Sequence, residues 1–248
     1  MPKDEIYRSE SADTATFAFN TAVADVFPDM LQRSIPGYAE TIDSIGQLAS
    51  RYVMPNTQCY DLGCSLAAAT LAMRRNIVVP GCRIVAVDSA AAMVERCRKI
   101  VASDDHKTDA CNNSVDIQIL YADIREVEIS RASMVVLNYT LQFLPVADRL
   151  SMLKKIADGM VDNGILILSE KVIDNDPHIE HLLVELHHQF KRRNAYSELE
   201  ISRKRTALEN VLIPESIDVH LERLRLAGFR HAGPWLRFFN FVSILATR

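Results

Sequence analysis

The chain has 248 residues, 48% of them hydrophobic and 24% charged, with a mean hydropathy of +0.01 and a net charge of −4. That length buries a substantial core in a single domain, the composition excludes disorder, and no apolar run approaches the length that crosses a bilayer. The acidic balance excludes long-range attraction to nucleic acid, and five cysteines without a C-x-x-C pair point to neither a disulfide framework nor a zinc site.

The start, Met1-Pro2-Lys3-Asp4-Glu5 running into Ser9-Glu10-Ser11-Ala12-Asp13, lacks the basic-then-apolar layout of a secretory signal, so a cytoplasmic location is expected. Phe19 to Phe27 and, after the break at Pro36-Gly37, Tyr38 to Tyr52 read as helices. They make residues 1–55 a lid-like helical extension of one domain spanning 1–248. Five short runs rich in Val and Ile then alternate with helical patterns: Thr57 to Leu62, Arg83 to Asp88, Val115 to Tyr121, Ser133 to Asn138 and Ile165 to Glu170. Helices start near Leu66, Ala91 and Ala147, which is the order of βαβ units in a Rossmann-like parallel sheet covered on both faces.

After the fifth strand the pattern turns helical over His178 to Arg193, Ser197 to Val211 and Glu215 to Ala227, the last ended by Gly228. This predicts a helical insertion over residues 171–228. Phe229 to Arg237 and Phe239 to Thr247 close the chain as an antiparallel pair at the sheet edge, with Phe238-Phe239-Asn240-Phe241 reading as strand core.

A ligand site is written at the strand ends. Tyr60-Asp61-Leu62-Gly63-Cys64-Ser65 runs from a strand straight into a helix, and Gly63, lacking a Cβ, permits a tight turn and close backbone approach to a ligand. A dinucleotide fingerprint is absent, because the G-x-G-x-x-G positions hold Gly63, Ser65 and Ala68. Asp88 ends the second strand, where a carboxylate accepts from both ribose hydroxyls of an adenosyl group. Asp123 follows the third, placed to accept from the adenine amino group while the Ile124 N–H serves a ring nitrogen. Each aspartate alone is also an ordinary helix cap. Their succession at carboxyl ends of consecutive strands points to an adenosyl cofactor.

Beyond this loop the chain carries Val26-Phe27-Pro28-Asp29-Met30, Gln32-Arg33-Ser34, Pro36-Gly37-Tyr38, Arg74-Arg75-Asn76-Ile77, Ala132 to Asn138, Leu141-Gln142-Phe143-Leu144, Tyr196 to Ser202 and Lys204-Arg205. With these motifs, over nearly its whole length, it resembles the carboxy-S-adenosylmethionine synthases of the tRNA wobble-uridine modification pathway. The resemblance implies a class I methyltransferase fold, a mostly parallel seven-stranded sheet with an antiparallel C-terminal strand. It implies carboxylation of the S-adenosylmethionine methyl group with prephenate as donor and phenylpyruvate as coproduct. The sulfonium stabilises an adjacent carbanion, a closed pocket excludes water, and the hydroxyl leaving prephenate takes the methyl proton, so no protein base is required.

By the same carry-over, Tyr38, Gly63, Cys64, Ser65, Asp88, Ser89, Asp123, Ile124 and Asn138 line the cofactor pocket. Arg205 holds the new carboxylate, a task suited to a permanently charged, bidentate guanidinium. A homodimer and a functional link to a tRNA carboxymethyltransferase are expected, with no direct nucleic-acid or membrane contact. Two departures stand out. Ala67 and Ala195 replace family glycines and are strained if their φ is positive.

Two other signals have structural readings. His181, Glu185 and His188 share a helix face at ligand-compatible spacing, but a hydrated surface is the preferred reading and no metal is expected. Arg74-Arg75 is read as capping a helix C-terminus. The rivals to a synthase are an ordinary methyltransferase of a small molecule or RNA, and a non-catalytic S-adenosylmethionine-binding partner of a tRNA-modifying enzyme. Asn138-Tyr139-Thr140 lacks the Pro-Pro-aromatic sequence of amino-methylating nucleic-acid enzymes, and Arg205 is useful only where an extra carboxylate is held.

Overall fold

A computed structural model describes residues 2–8, 17–105 and 115–248; Cys111 and the Ser9–Asp13 stretch lie outside them. The helices are α1 (Thr21–Ser34), α2 (Tyr38–Tyr52), α3 (Ala68–Asn76), α4 (Ala91–Asp105), α5 (Val146–Gly159), α6 (Pro177–Arg193), α7 (Glu198–Leu208) and α8 (Ile217–Ala227). The strands are β1 (Gln58–Leu62), β2 (Arg83–Asp88), β3 (Asp116–Tyr121), β4 (Ala132–Asn138), β5 (Met160–Ile173), β6 (Glu215–Ser216), β7 (His231–Phe238) and β8 (Phe241–Thr247). They form one sheet in the order β3-β2-β1-β4-β5-β8-β7, with the two-residue β6 paired to β5 off that path. β1 to β5 are parallel, and β8 runs antiparallel to both β5 and β7.

The sheet is buried on both faces because its strands alternate between two apolar clusters. Met134, Val136, Ile165 and Ile167 pack with Ile45 and Ala49 of α2 and Met73 of α3. Val135, Leu137, Leu166 and Leu168 pack with Met152, Leu153 and Ile156 of α5 and Leu224 of α8. A period of two in the side chains, with both faces covered, yields the near-continuous Val/Ile/Leu runs of the sequence.

The 1–55 stretch divides in two. α2 lies in the core layer against α3 and the sheet, whereas Tyr7, Phe17, Val23, Phe27 and Met30 form a separate cluster that reaches Leu66, Met93 and Ala207. The N-terminal residues and α1 therefore sit over the loop that follows β1. Asn20 caps α1 by accepting from the Val23 amide at 3.0 Å, and Ser197 with Glu200 closes a capping box on α7.

Local differences from the sequence reading have physical causes. The Phe238–Phe241 run is a tight turn, not continuous strand: Phe239 has φ 55° and the buried Asn240 carbonyl accepts from Val172 N–H at 2.8 Å. Arg74 is buried and, with Arg75, binds the Asp104 carboxylate of α4, so the pair ties two helices together in addition to standing in the last turn of α3. No helix among the described residues is long and apolar enough to cross a membrane.

Candidate functional site

The carboxyl ends of β1, β2, β3 and β4 converge on one edge. At the end of β1, Gly63 has φ 86°, and a Cβ there would lie 2.3 Å from Thr140 Oγ1, so the β4 loop occupies the space glycine leaves open. The Gly63 and Cys64 amides both donate to the Val87 carbonyl, at 2.8 and 2.9 Å. Ser65 and Ala67 follow with φ 49° and 66°. The Ala67 position is left-handed, as is Ala195 at φ 62°, so both alanines stand where glycine carries no Cβ penalty. The Cys64 side chain faces an apolar cluster with Leu71, Ala86 and Cys97, so only its backbone is turned to the loop.

Asp88 is the hub of the cradle. Its Oδ2 accepts from the Ser65 amide at 2.9 Å and its Oδ1 from the Ala90 amide at 2.8 Å, while Ser89 beside it is exposed. Burial raises the Asp88 carboxyl pKa, and backbone donors at Ala90, Ser65 and Ser89 oppose that rise. Each oxygen keeps a further acceptor site for a ligand hydroxyl.

Asp123, expected to accept from an adenine amino group, already has an arginine partner. Arg125 grips its carboxylate through Nε at 3.0 Å and Nη2 at 2.6 Å, holding it below the usual carboxylate range, and also reaches Asp148 at 2.6 Å. The Ile124 side chain is buried in the sheet cluster.

Asn138 closes β4, paired with Ser169, and its Oδ1 is buried without a hydrogen-bond partner among the described residues. A buried acceptor left unsatisfied is destabilising, and a ligand ammonium group would satisfy it. This orphan, with Asp88 and the glycine turn, fits the amino-acid and ribose portions of S-adenosylmethionine. Tyr38 completes the group: its phenol pKa is raised by burial and by nearby Asp61 and Tyr139. Arg205 comes from α7 rather than from a strand end. It is exposed on α7, close enough to Lys171 and His188 to disfavour their protonation.

Several residues of this edge carry no role in the sequence reading. Asp61 is buried, accepts from Thr70 N–H and Oγ1 at 2.9 and 2.5 Å, and has its carboxyl pushed to about 6 mainly by burial. Glu170, in the carboxyl-terminal part of β5, accepts from the Leu141 amide at 3.0 Å, and burial pushes it to about 8. Charged residues at a strand's carboxyl end, Glu170-Lys171, were the available signal. Arg33 clamps the turn before α7 through the Asn194 and Ala195 carbonyls, at 2.6 and 2.8 Å, with its guanidinium 4.0 Å from the Tyr196 ring centroid. Among the described residues no three His, Cys, Asp or Glu side chains gather as a metal site.

Comparison with known proteins bears on the family and the fold. Residues 60–168 match a methyltransferase domain model. The carboxy-S-adenosyl-L-methionine synthase of Aliivibrio fischeri (strain MJ11) is 52% identical over 245 residues, covering 99% of this chain and 98% of its own. That of Pasteurella multocida (strain Pm70) is 51% identical over 248 residues, covering 100% of each. Among solved structures, an O-methyltransferase family protein from Burkholderia thailandensis superposes with a TM-score of 0.67 at 15% identity, over 98% of this chain and 66% of that one. Human N-acetylserotonin methyltransferase in complex with SAM gives 0.59 at 16% identity, over 100% of this chain and 60% of that one. The chain thus spans only about three fifths of the human protein's length, and these structures establish the fold alone. With about half its residues identical across their full length, the chain belongs to the carboxy-S-adenosyl-L-methionine synthase family, on a class I methyltransferase fold.

Proposed function

We propose that the chain carboxylates the methyl group of S-adenosylmethionine with prephenate as the carboxyl donor, and that the product serves modification of the wobble uridine of tRNA. The observation that carries this reading is a cationic Arg205, free of any carboxylate partner among the described residues, beyond a cradle whose Asn138 acceptor is unsatisfied. A plain methyl transfer gives that guanidinium nothing to hold. A substrate and a product that bear an added carboxylate do.

In this reading Asp88 and Ser89 receive the ribose, and Asp123 with the Ile124 N–H receives the adenine. Asn138 takes the α-amino group, Gly63, Cys64 and Ser65 contribute backbone, and Tyr38 walls the methyl end. The step balances without a protein base. Prephenate breaks its bond to carbon dioxide and releases hydroxide, becoming phenylpyruvate; hydroxide takes one methyl proton to give water; the methyl carbon bonds the carbon dioxide. The N-terminal cluster over the β1 loop is the part suited to exclude water from that exchange. Cytoplasmic action and a homodimer belong to the same proposal, and exposed Ile179 and Leu182 on α6 supply apolar surface for a second copy.

Incubation of the purified protein with S-adenosylmethionine and prephenate, followed by mass spectrometry, tests it. A nucleoside product heavier by one carbon dioxide, with equimolar phenylpyruvate, is expected. No such product under conditions where calorimetry shows S-adenosylmethionine bound overturns it.

A further inference from the structure

The edge of the sheet beyond β4 carries a concentration of positive charge that the cofactor cradle does not use. Lys171 stands on β5 two residues past Ser169, the partner of Asn138 in the sheet. Lys191, His187 and His188 come from α6, and Lys204 and Arg205 from α7. The cluster adjoins the cradle through a chain of ring contacts: Tyr139 meets Phe241 with centroids 5.9 Å apart, and Phe241 meets His187 at 4.9 Å.

Within the cluster the groups divide by how they are satisfied. Lys204 is buried with its Nζ on Ser34 Oγ at 2.9 Å and 3.6 Å from Asp4 Oδ2, and His187 Nε2 meets the Ser34 carbonyl at 2.9 Å. Those two are structural. Lys171 and Lys191 are half-buried, and among the described residues neither ammonium forms a hydrogen bond or ion pair. The acids nearby are Glu180, which faces Lys171, Asp4 and Asp29, which face Lys204, and Glu185 and Glu198, which face His188. Burial, then Lys204 and Lys171, push the Lys191 ammonium down to about 7. Half-buried like charges that no acid pairs directly are unfavourable alone and become favourable when an anion enters between them.

We propose that Lys171 and Lys191 form an anion subsite that receives a carboxylate of the carboxyl donor, beside Arg205 and across β5 from the adenosyl cradle. The assignment rests on the reading above that the second substrate is a carboxylate anion. It deepens that reading by naming the side chains that bind it. With the adenosyl half placed over β1, β2 and β3, the carboxyl-terminal part of β5 is left for the donor, and there Lys171 faces the charges of Lys191 and Arg205.

The test separates binding from turnover. With S-adenosylhomocysteine in place of the methyl donor, no carboxylation occurs and prephenate binding is read by calorimetry. Lys171→Met and Lys191→Met should each weaken prephenate about ten-fold or more, as loss of one charge-assisted contact implies. S-adenosylhomocysteine affinity should stay within about two-fold, since these residues lie outside the cradle. Because an entering anion restores the Lys191 proton, binding at pH 8 to the parent protein should take up protons, seen as a dependence of the heat on buffer ionisation enthalpy. That uptake should vanish in both Lys191→Met and Lys191→Arg, while Lys191→Arg, which stays charged, restores the prephenate affinity. Unchanged prephenate affinity in both methionine variants, or no prephenate binding by the parent protein, overturns the subsite. Prephenate binding that depends on both lysines, with no carboxylated product in the turnover assay, supports the subsite and sinks the proposed reaction instead.

Discussion

The Ser65 amide donates to Asp88 Oδ2 at 2.9 Å, fastening the left-handed loop after β1 to the carboxyl end of β2. With Oδ1 already accepting from Ala90, the carboxylate is oriented by two backbone donors and presents its remaining lone pairs outward. Asp88→Asn turns one oxygen into a donor that opposes an amide N–H and leaves fewer acceptors for ribose hydroxyls. We expect S-adenosylmethionine to bind roughly ten- to hundred-fold more weakly, corresponding to ~1.5–3 kcal/mol for charge-assisted hydrogen bonds. Calorimetric titration measures it, and an unchanged Kd removes Asp88 from the site.

The two left-handed alanines give opposite expectations when changed to glycine. Ala195 is exposed at φ 62°, so its Cβ contributes strain of about 1 kcal/mol and little packing. Ala195→Gly regains that strain less ~0.4–1 kcal/mol of unfolded-chain entropy, and the melting temperature should hold or rise by about 1–2 °C. Ala67 has the same backbone at φ 66° but is 0% exposed, packed with Cys64, Leu71 and Cys97. Its methyl is worth about 0.8 kcal/mol, so Ala67→Gly should bring no gain. Thermal unfolding of both variants decides the matter; a clear loss of stability in Ala195→Gly would contradict the strain argument.

The contrast between these positions shows what the sequence discloses. The five parallel strands were legible because each is covered on both faces and therefore reads as a Val/Ile run, and the Tyr38–Tyr52 and Arg83–Asp88 limits agree with the structure to the residue. Gly63, Asp88 and Asn138 were legible as strand-end residues, and the structure brings them to one edge. Thr140 in the space beside Gly63 and Arg74 on Asp104 were not legible, because each joins segments whose approach is set by tertiary packing rather than local spacing. The two-residue β6 was read as the start of a helix, since nothing in Glu215-Ser216 distinguishes a short pairing on β5 from the helix cap that Ser216 also provides. Lys171, Lys191 and Lys204 are scattered through 34 positions and become one cluster only when α6 and α7 fold back on β5.

Glu170 makes the stability of the fold depend on pH in a defined direction. Burial raises its pKa to about 8 from 4.5, with the Arg149 charge and the Gln142 and Leu141 amides opposing. Between those two values the folded chain holds a proton that the unfolded chain has lost, so the unfolding free energy falls as pH rises. The contribution is complete below about 4.5 and is lost as pH climbs through about 8. Glu170→Gln, which mimics the protonated acid and still accepts from Leu141, should flatten the fall of melting temperature between pH 6 and 9 relative to the parent chain. Parallel slopes for the two proteins would show that Glu170 is ionised in the fold.

Arg205 is carried by α7 and makes none of the contacts that hold Asp88, Gly63 and Asn138, so its removal should divide the two halves of the reaction. It is exposed, lies near Lys171 and His188, and among the described residues is bound by no carboxylate. Arg205→Leu should therefore leave S-adenosylmethionine affinity within about two-fold, since the cradle keeps all its contacts. The carboxylated product should dissociate about ten-fold faster or more, for want of a bidentate partner. Arg205→Lys keeps the charge but not the planar fork, and should fall between parent and leucine variant. Product retained on the protein through gel filtration and quantified by mass spectrometry gives the ranking. Retention equal in all three proteins would place the new carboxylate elsewhere, and the ordering parent, lysine, leucine would fix the guanidinium geometry, rather than charge alone, as what holds it.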